Sequence, residues 1–266
     1  MQQRKHKAGS PQKIRASLLL RCGVVICLSL FTACTDHSTK KITVSASANL
    51  IEAFNHLRVP FQKKTAIQVT YNFASSGTLS HQIEHGAPVD VFASADMSYI
   101  ARLVQKNIID PDSVTPYALG RLAFYSLQAS MVPSQLEELD LTSIERFAIA
   151  NPEHAPYGLV ARAVLKSSNL WDRLQHKLIV ADNVRQALTY VETGDVSAAL
   201  LPLSLLINVK KGAYSVIPES QHQPLMQSIG IVKQTAHRAE AQTFVNFIIS
   251  KEGQSILRKF GYQSVK

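Results

Sequence analysis

Residues 67–84 read IQVTYNFASSGTLSHQIE. The first seven are rich in β-branched and aromatic side chains, as a strand is, and from Thr78 to Glu84 the apolar residues Leu79 and Ile83 fall at helical spacing. Between the two patterns lie only Ala74-Ser75-Ser76-Gly77. A strand that turns into a helix through so small a junction leaves the first N–H groups of the helix, and its positive dipole end, open to a ligand. Three further stretches repeat the design: SASANL at 45–50 after Ile42-Thr43-Val44, HAPYGLV at 154–160 after Phe147-Ala148-Ile149-Ala150, and ADNV at 181–184 after Leu178-Ile179-Val180. Strand and helix in alternation imply parallel sheet with helices on its faces, and ligands of such sheets bind beyond the carboxyl ends of the strands. None of the four junctions contains lysine or arginine. Neutral donors gathered this way suit a dianion held reversibly, since hydrogen bonds to a charged group contribute roughly 1.5–3 kcal/mol each.

Outward from these junctions the alternation continues. Gly86-Ala87-Pro88 stops the first helix, residues 89–93 read as a strand, and Tyr99, Ile100, Leu103 and Val104 mark another helix. Asn151-Pro152 is a turn signal before an alanine-rich helix at 158–165; Val184, Ala187, Leu188 and Val191 share one helical face; residues 198–201 form a short apolar strand. Helices over 239–260 turn Phe244, Phe247, Ile248, Ile256 and Leu257 inward.

The first 34 residues differ in kind from the rest. Six Lys/Arg precede the apolar run 22–33, and no acid occurs before Asp36. The run is shorter than the ~20 residues of a membrane-spanning helix, so residues 1–34 read as an export signal. It ends Leu30-Phe31-Thr32-Ala33-Cys34, which reads as a lipoprotein processing site with Cys34 as the lipidated first residue. Phe31 stands where such sites carry leucine, and cleavage at a soluble-protein site is the alternative. Residues 35–40 form a polar linker. All three cysteines lie in the leader, leaving no disulfide framework or thiol chemistry beyond it. Of the formal charge of +9, the six leader cations account for most; 22 basic against 19 acidic residues remain, a net +3, which takes away most of the support for nucleic-acid binding.

Five segments in order, VSASANL, FASSGTLxxQIExGAPxDVFASAD, NPEHAPYG, DNVRQAL and KFGY, resemble the molybdate-binding proteins of molybdate ABC transporters, over about 41–262. The resemblance implies an α/β, two-lobed periplasmic-binding-protein fold of type II, each lobe a mostly parallel sheet flanked by helices. Lobe I is expected over 41–121 and 227–266 and lobe II over 122–226, with crossings near 119–125 and 225–232, both apolar runs without internal turn signals. The resemblance also implies no cofactor and no cation site, molybdenum being bound only as its oxyanion. Its expected partners are molybdate or tungstate and an inner-membrane ABC permease, and a monomer is expected in the periplasm or cell envelope.

Each site candidate has a plainer reading beside the one the resemblance implies. Asn49 reads from spacing as a helix N-cap; the resemblance implies an oxyanion ligand. Ser45 and Ser47 alternate along a strand and read as packing or solvent residues. Ser76 is either a cap, with Ser75, or a ligand through hydroxyl and backbone, as the resemblance implies. Tyr157 is a half-buried tyrosine with a local bond, or the ligand found in one subtype of the family. Val184 offers only its backbone N–H. Some members carry a binding tyrosine in the segment occupied here by Leu201-Pro202-Leu203, and Pro202 has neither hydroxyl nor N–H. His81 and His85 have the spacing of a metal-binding pair without an evident third ligand, and Asp90 and Asp96 read as caps or structural acceptors. The leading function is a non-catalytic receptor for molybdate or tungstate. The alternatives are a receptor for another tetrahedral oxyanion such as sulfate, a secreted hydrolase using Ser76 although no GxSxG motif is present, and a tethered interaction protein.

Overall fold

The computed structural model describes residues 40–265. The expected export signal, Cys34 and all but the end of the 35–40 linker lie outside the described residues. In chain order the first lobe opens with β1 (Lys41–Ser47), a 3-10 turn (Ala48–Leu50), α1 (Ile51–Thr65), β2 (Gln68–Ala74), α2 (Ser76–Glu84), β3 (Val91–Ser94), α3 (Met97–Gln105) and β4 (Thr115–Gly120). The second holds β5 (Leu122–Ser126), β6 (Phe147–Ala150), α4 (Pro156–Ser167), α5 (Trp171–Leu174), β7 (Leu178–Ala181), α6 (Val184–Thr193), β8 (Ala198–Pro202), α7 (Leu203–Leu206) and β9 (Ala213–Val216). The chain then returns to the first lobe with β10 (Leu225–Ile231), α8 (Arg238–Ile249) and α9 (Lys251–Lys259).

The two five-stranded sheets share one plan, β2-β1-β3-β10-β4 and β7-β6-β8-β5-β9. In each, four strands run one way and one runs against them, β10 in the first and β5 in the second. The reversed strand is in both cases the first to enter its sheet after a crossing. The chain leaves β4 at Gly120 and starts β5 at Leu122, so the first crossing is Arg121 alone. It leaves β9 at Val216 and pairs Leu225 with Gly120, so the second crossing occupies 217–224. The apolar run at 225–232, expected to carry that crossing, is strand β10 instead. Pro218 and Pro224, which cannot donate to a ladder, bracket the segment that does cross.

Helices cover both faces of the first sheet. Successive residues of β3 show the division: Val91 and Ala93 pack with Phe54, Phe61 and Phe244 of α1 and α8, while Phe92 packs with Leu79, Ile100 and Leu103 of α2 and α3. In the second lobe one core joins β5, β6 and β8 to α4 and α6, and it takes in Ala48, Ala95 and Leu225 of the first lobe. The lobes therefore meet on apolar ground behind the strand ends, which holds the four junctions face to face.

Candidate functional site

The junctions close around one small cavity. Ser47, Asn49, Ser76 and Ala95 line it from the first lobe, and Ala155, Tyr157, Asn183 and Val184 from the second. No lining side chain carries a charge. The cavity measures about 10 Å³ in this closed arrangement, near what one water needs. The hydroxyls of Ser47 and Ser76 touch across it, and both accept from the Ala95 N–H, at 3.1 and 3.0 Å.

Each helix facing the cavity has its first-turn donors consumed, save one. In α2, the Ser75 cap accepts from Thr78 N–H at 3.2 Å, Leu79 donates to the Ser75 carbonyl, and Gly77 donates to the His154 carbonyl at 2.8 Å, which leaves the Ser76 N–H. In α4, Pro156 has no N–H, and Gly158 and Leu159 both donate to the Ala155 carbonyl, which leaves Tyr157. In α6, the Asn183 cap accepts from Arg185 and Gln186 and its carbonyl from Ala187, which leaves Val184. The 3-10 turn adds the N–H groups of Ala48 and Asn49, which precede any partner within the turn. The four expected residues, Asn49, Ser76, Tyr157 and Val184, thus lie together and each brings a backbone donor.

Asn49 is not an N-cap; Ser47 holds that position for the 3-10 turn and Leu50 for α1. Its side chain serves as a buried tie: Nδ2 donates to Gln227 Oε1 at 3.0 Å and to the Tyr262 hydroxyl at 2.8 Å, so both amide hydrogens are engaged. Its donor toward the cavity is therefore the backbone N–H. The Asn49 carbonyl accepts from Tyr262 and from Ser204 of α7, both at 2.8 Å. Tyr157 is buried, and its hydroxyl accepts from Gln227 Nε2 at 3.2 Å. Burial pushes the Tyr117, Tyr157 and Tyr262 phenols well above the ordinary tyrosine range, so all three remain protonated donors.

Ser47 was missed by alternation reasoning, although it ends β1 and opens the 3-10 turn, the position at which Ser75 precedes α2. Pro202 stands outside the cavity, and the Leu203 N–H behind it donates to the Arg121 carbonyl. His81 and His85 lie on the exposed face of α2, and among the described residues no group of three or more His, Cys, Asp or Glu could hold a metal. Asp96 caps α3 through Ser98 N–H, and Asp90 accepts from Thr43 N–H at 2.7 Å. The serine that meets a histidine is Ser75, 2.9 Å from His154 Nδ1, and its hydroxyl is already the α2 cap. A wider hollow, about 820 Å³, lies elsewhere around Asp90, Lys106 and His237. Its charged groups are already partnered: Asp90 is bonded to Thr235 and His237, and Lys106 to Glu84.

A family model of bacterial extracellular solute-binding proteins matches residues 42–263. The chain is 30% identical over 243 residues to the molybdate-binding protein ModA of Rhodobacter capsulatus, covering 91% of this chain and 96% of that one. It is 31% identical over 229 residues to ModA of Escherichia coli K12, covering 84% and 88%. The solved periplasmic molybdate-binding protein of Azotobacter vinelandii shares the fold with a TM-score of 0.81 at 28% identity, covering 85% of this chain and all of that one.

Proposed function

The chain belongs to the bacterial extracellular solute-binding proteins, and from that premise we propose that it captures molybdate, or tungstate of nearly the same size, and delivers it to an ABC permease. The observation that carries this reading is the convergence of four helix starts from two lobes, each keeping back a donor, on a cavity without charged side chains. Ser47, Ser76 and Tyr157 add hydroxyls. Closure of the lobes removes the anion from water and surrounds it with donors from both sides. A cavity that offers neutral donors and no carboxylate disfavours an oxyanion that keeps a proton, because that proton would find no ionised acceptor. The residues proposed to bind are Asn49, Ser76, Tyr157 and Val184, with Ser47 added. Members of the family are solute-binding proteins and not enzymes, and this chain is read as a receptor with them.

Calorimetry on residues 35–266 with molybdate, tungstate, sulfate and phosphate tests the reading. A dissociation constant of micromolar or tighter, about −8 kcal/mol, is expected for the first two. Binding of sulfate with neither of them would replace molybdate by a smaller oxyanion. We further propose that the protein works as a monomer held at the envelope by a lipidated Cys34. No described helix is long and apolar enough to cross a membrane, so attachment would rest on the lipid. Mass spectrometry of the mature N-terminus checks this, and an unmodified chain in the soluble periplasmic fraction overturns it.

A further inference from the structure

We propose that Gln227 is a positioning residue that forces the Tyr157 hydroxyl to act as a hydrogen-bond donor toward the bound oxyanion, at the end of a chain of fixed polarity running from the Asn49 carbonyl. The proposal rests on the anion-binding reading of the cavity and adds to it a residue that does not line the cavity.

The polarity follows from one group that cannot be reversed. The Asn49 backbone carbonyl only accepts, so the Tyr262 hydroxyl 2.8 Å away donates to it. With its hydrogen spent there, the Tyr262 oxygen accepts from the Asn49 side chain, and the amide end facing it is the NH₂. The second hydrogen of that NH₂ points to Gln227, whose facing atom is then the carbonyl oxygen. The Tyr117 hydroxyl, which faces this oxygen at 3.1 Å and the Ser94 carbonyl at 3.4 Å, meets acceptors on both sides. The other end of Gln227 is consequently its NH₂, and it donates to Tyr157 at 3.2 Å. The assignment of both amides is thus set by logic of donors and acceptors, where coordinates alone leave O and N ambiguous. Among the described residues the Tyr157 hydroxyl hydrogen has no protein acceptor, and Tyr157 lines the cavity.

The surroundings hold this arrangement. Gln227 is fully buried, at a register shift of the β10–β4 ladder where Gln227 faces Ala118 and Ser228 faces Pro116. Tyr117 is the extra residue of that bulge, and bulges re-aim side chains in this way. Gly120 leaves room for the contact, since a Cβ there would sit 2.1 Å from the Tyr157 hydroxyl oxygen and 2.6 Å from Gln227 Nε2. The titratable groups bonded to Gln227 are the phenols of Tyr117 and Tyr157, with Tyr262 one link further through Asn49, and all three stay neutral across the range used below.

The test reverses the polarity with Gln227→Glu, measured with tungstate and molybdate from pH 9 to pH 5 and referred to wild type at each pH. A carboxylate at this position takes the Tyr157 proton away from the anion, and a protonated carboxyl donates to Tyr157 as the amide does. Binding at pH 9 should fall at least about tenfold and recover toward wild type as the pH drops, since burial raises a carboxyl pKa. In a Tyr157→Phe background the same substitution should cost at least about threefold less. Equal cost in both backgrounds at every pH, or full affinity of Gln227→Glu at pH 9, overturns the role of Gln227. If Gln227→Glu fails to fold, Gln227→Met replaces it, with a larger loss expected beside Tyr157 than beside Phe and an equal loss overturning the proposal. No binding by wild type overturns the reading of the site itself, and the proposal with it.

Discussion

Ser76 offers the cavity two donors, the one unspent N–H of the α2 start and its hydroxyl. Ser76→Ala removes only the second. The Ala95 N–H keeps its bond to Ser47, so folding should change little. Affinity should fall by about 1.5–3 kcal/mol, the worth of a hydrogen bond to a charged group, read by calorimetry. Gly120→Ala acts on the opposite principle. Its methyl meets the end of a rigid, buried ring, so the ring must move or the lobes stay apart. Weaker binding and a loss of about 1–3 kcal/mol in stability are expected, measured by titration and by denaturant unfolding. At this scale the sequence exposed residues at helix starts, because a start is marked by small and hydroxylated types. It did not expose Gln227, which lies in a strand 178 positions from Asn49, nor the commitment of the Asn49 amide to other side chains. Such ties depend on register and crossing geometry, which no local pattern contains.

At the starts of α2 and α6 the caps consume first-turn donors and leave one N–H for the proposed ligand. Asn183 bonds the Arg185 and Gln186 N–H groups at 3.0 and 3.1 Å, leaving Val184 alone facing inward. Asn183→Ala should therefore lower stability by about 0.5–2 kcal/mol in thermal unfolding. It should also lower affinity, because the first turn of α6 would fray where it holds the ligand. The alternating elements were legible for a related reason: helical and strand periods differ, and each junction carries its own punctuation. The two reversed strands were not. β5, buried along its whole length, and β10, nearly so, lack the in-and-out alternation of a half-buried strand and read equally well as connections.

Across the whole molecule, the lobes are joined by a single residue, Arg121, and by the segment 217–224, and are held shut by contacts on the far side of the cavity. His154 supplies two of these, its carbonyl to Gly77 N–H and its ring to Ser75. A Cβ on residue 77 would lie 2.6 Å from His154 Cβ, so the approach requires glycine. His154 touches the closing edge and does not line the cavity. His154→Ala should therefore speed ligand release several-fold while leaving the association rate nearly unchanged, a division that stopped-flow fluorescence resolves.

A cavity lined only by neutral donors has one further consequence. It holds no base to take up a proton and no acid to surrender one as the anion arrives. Complex formation with a fully ionised anion should then exchange no protons with the solution. The heat of binding at neutral pH should be the same in phosphate-free buffers of widely different ionisation enthalpy, and the complex should migrate in an electric field as a protein carrying two more negative charges.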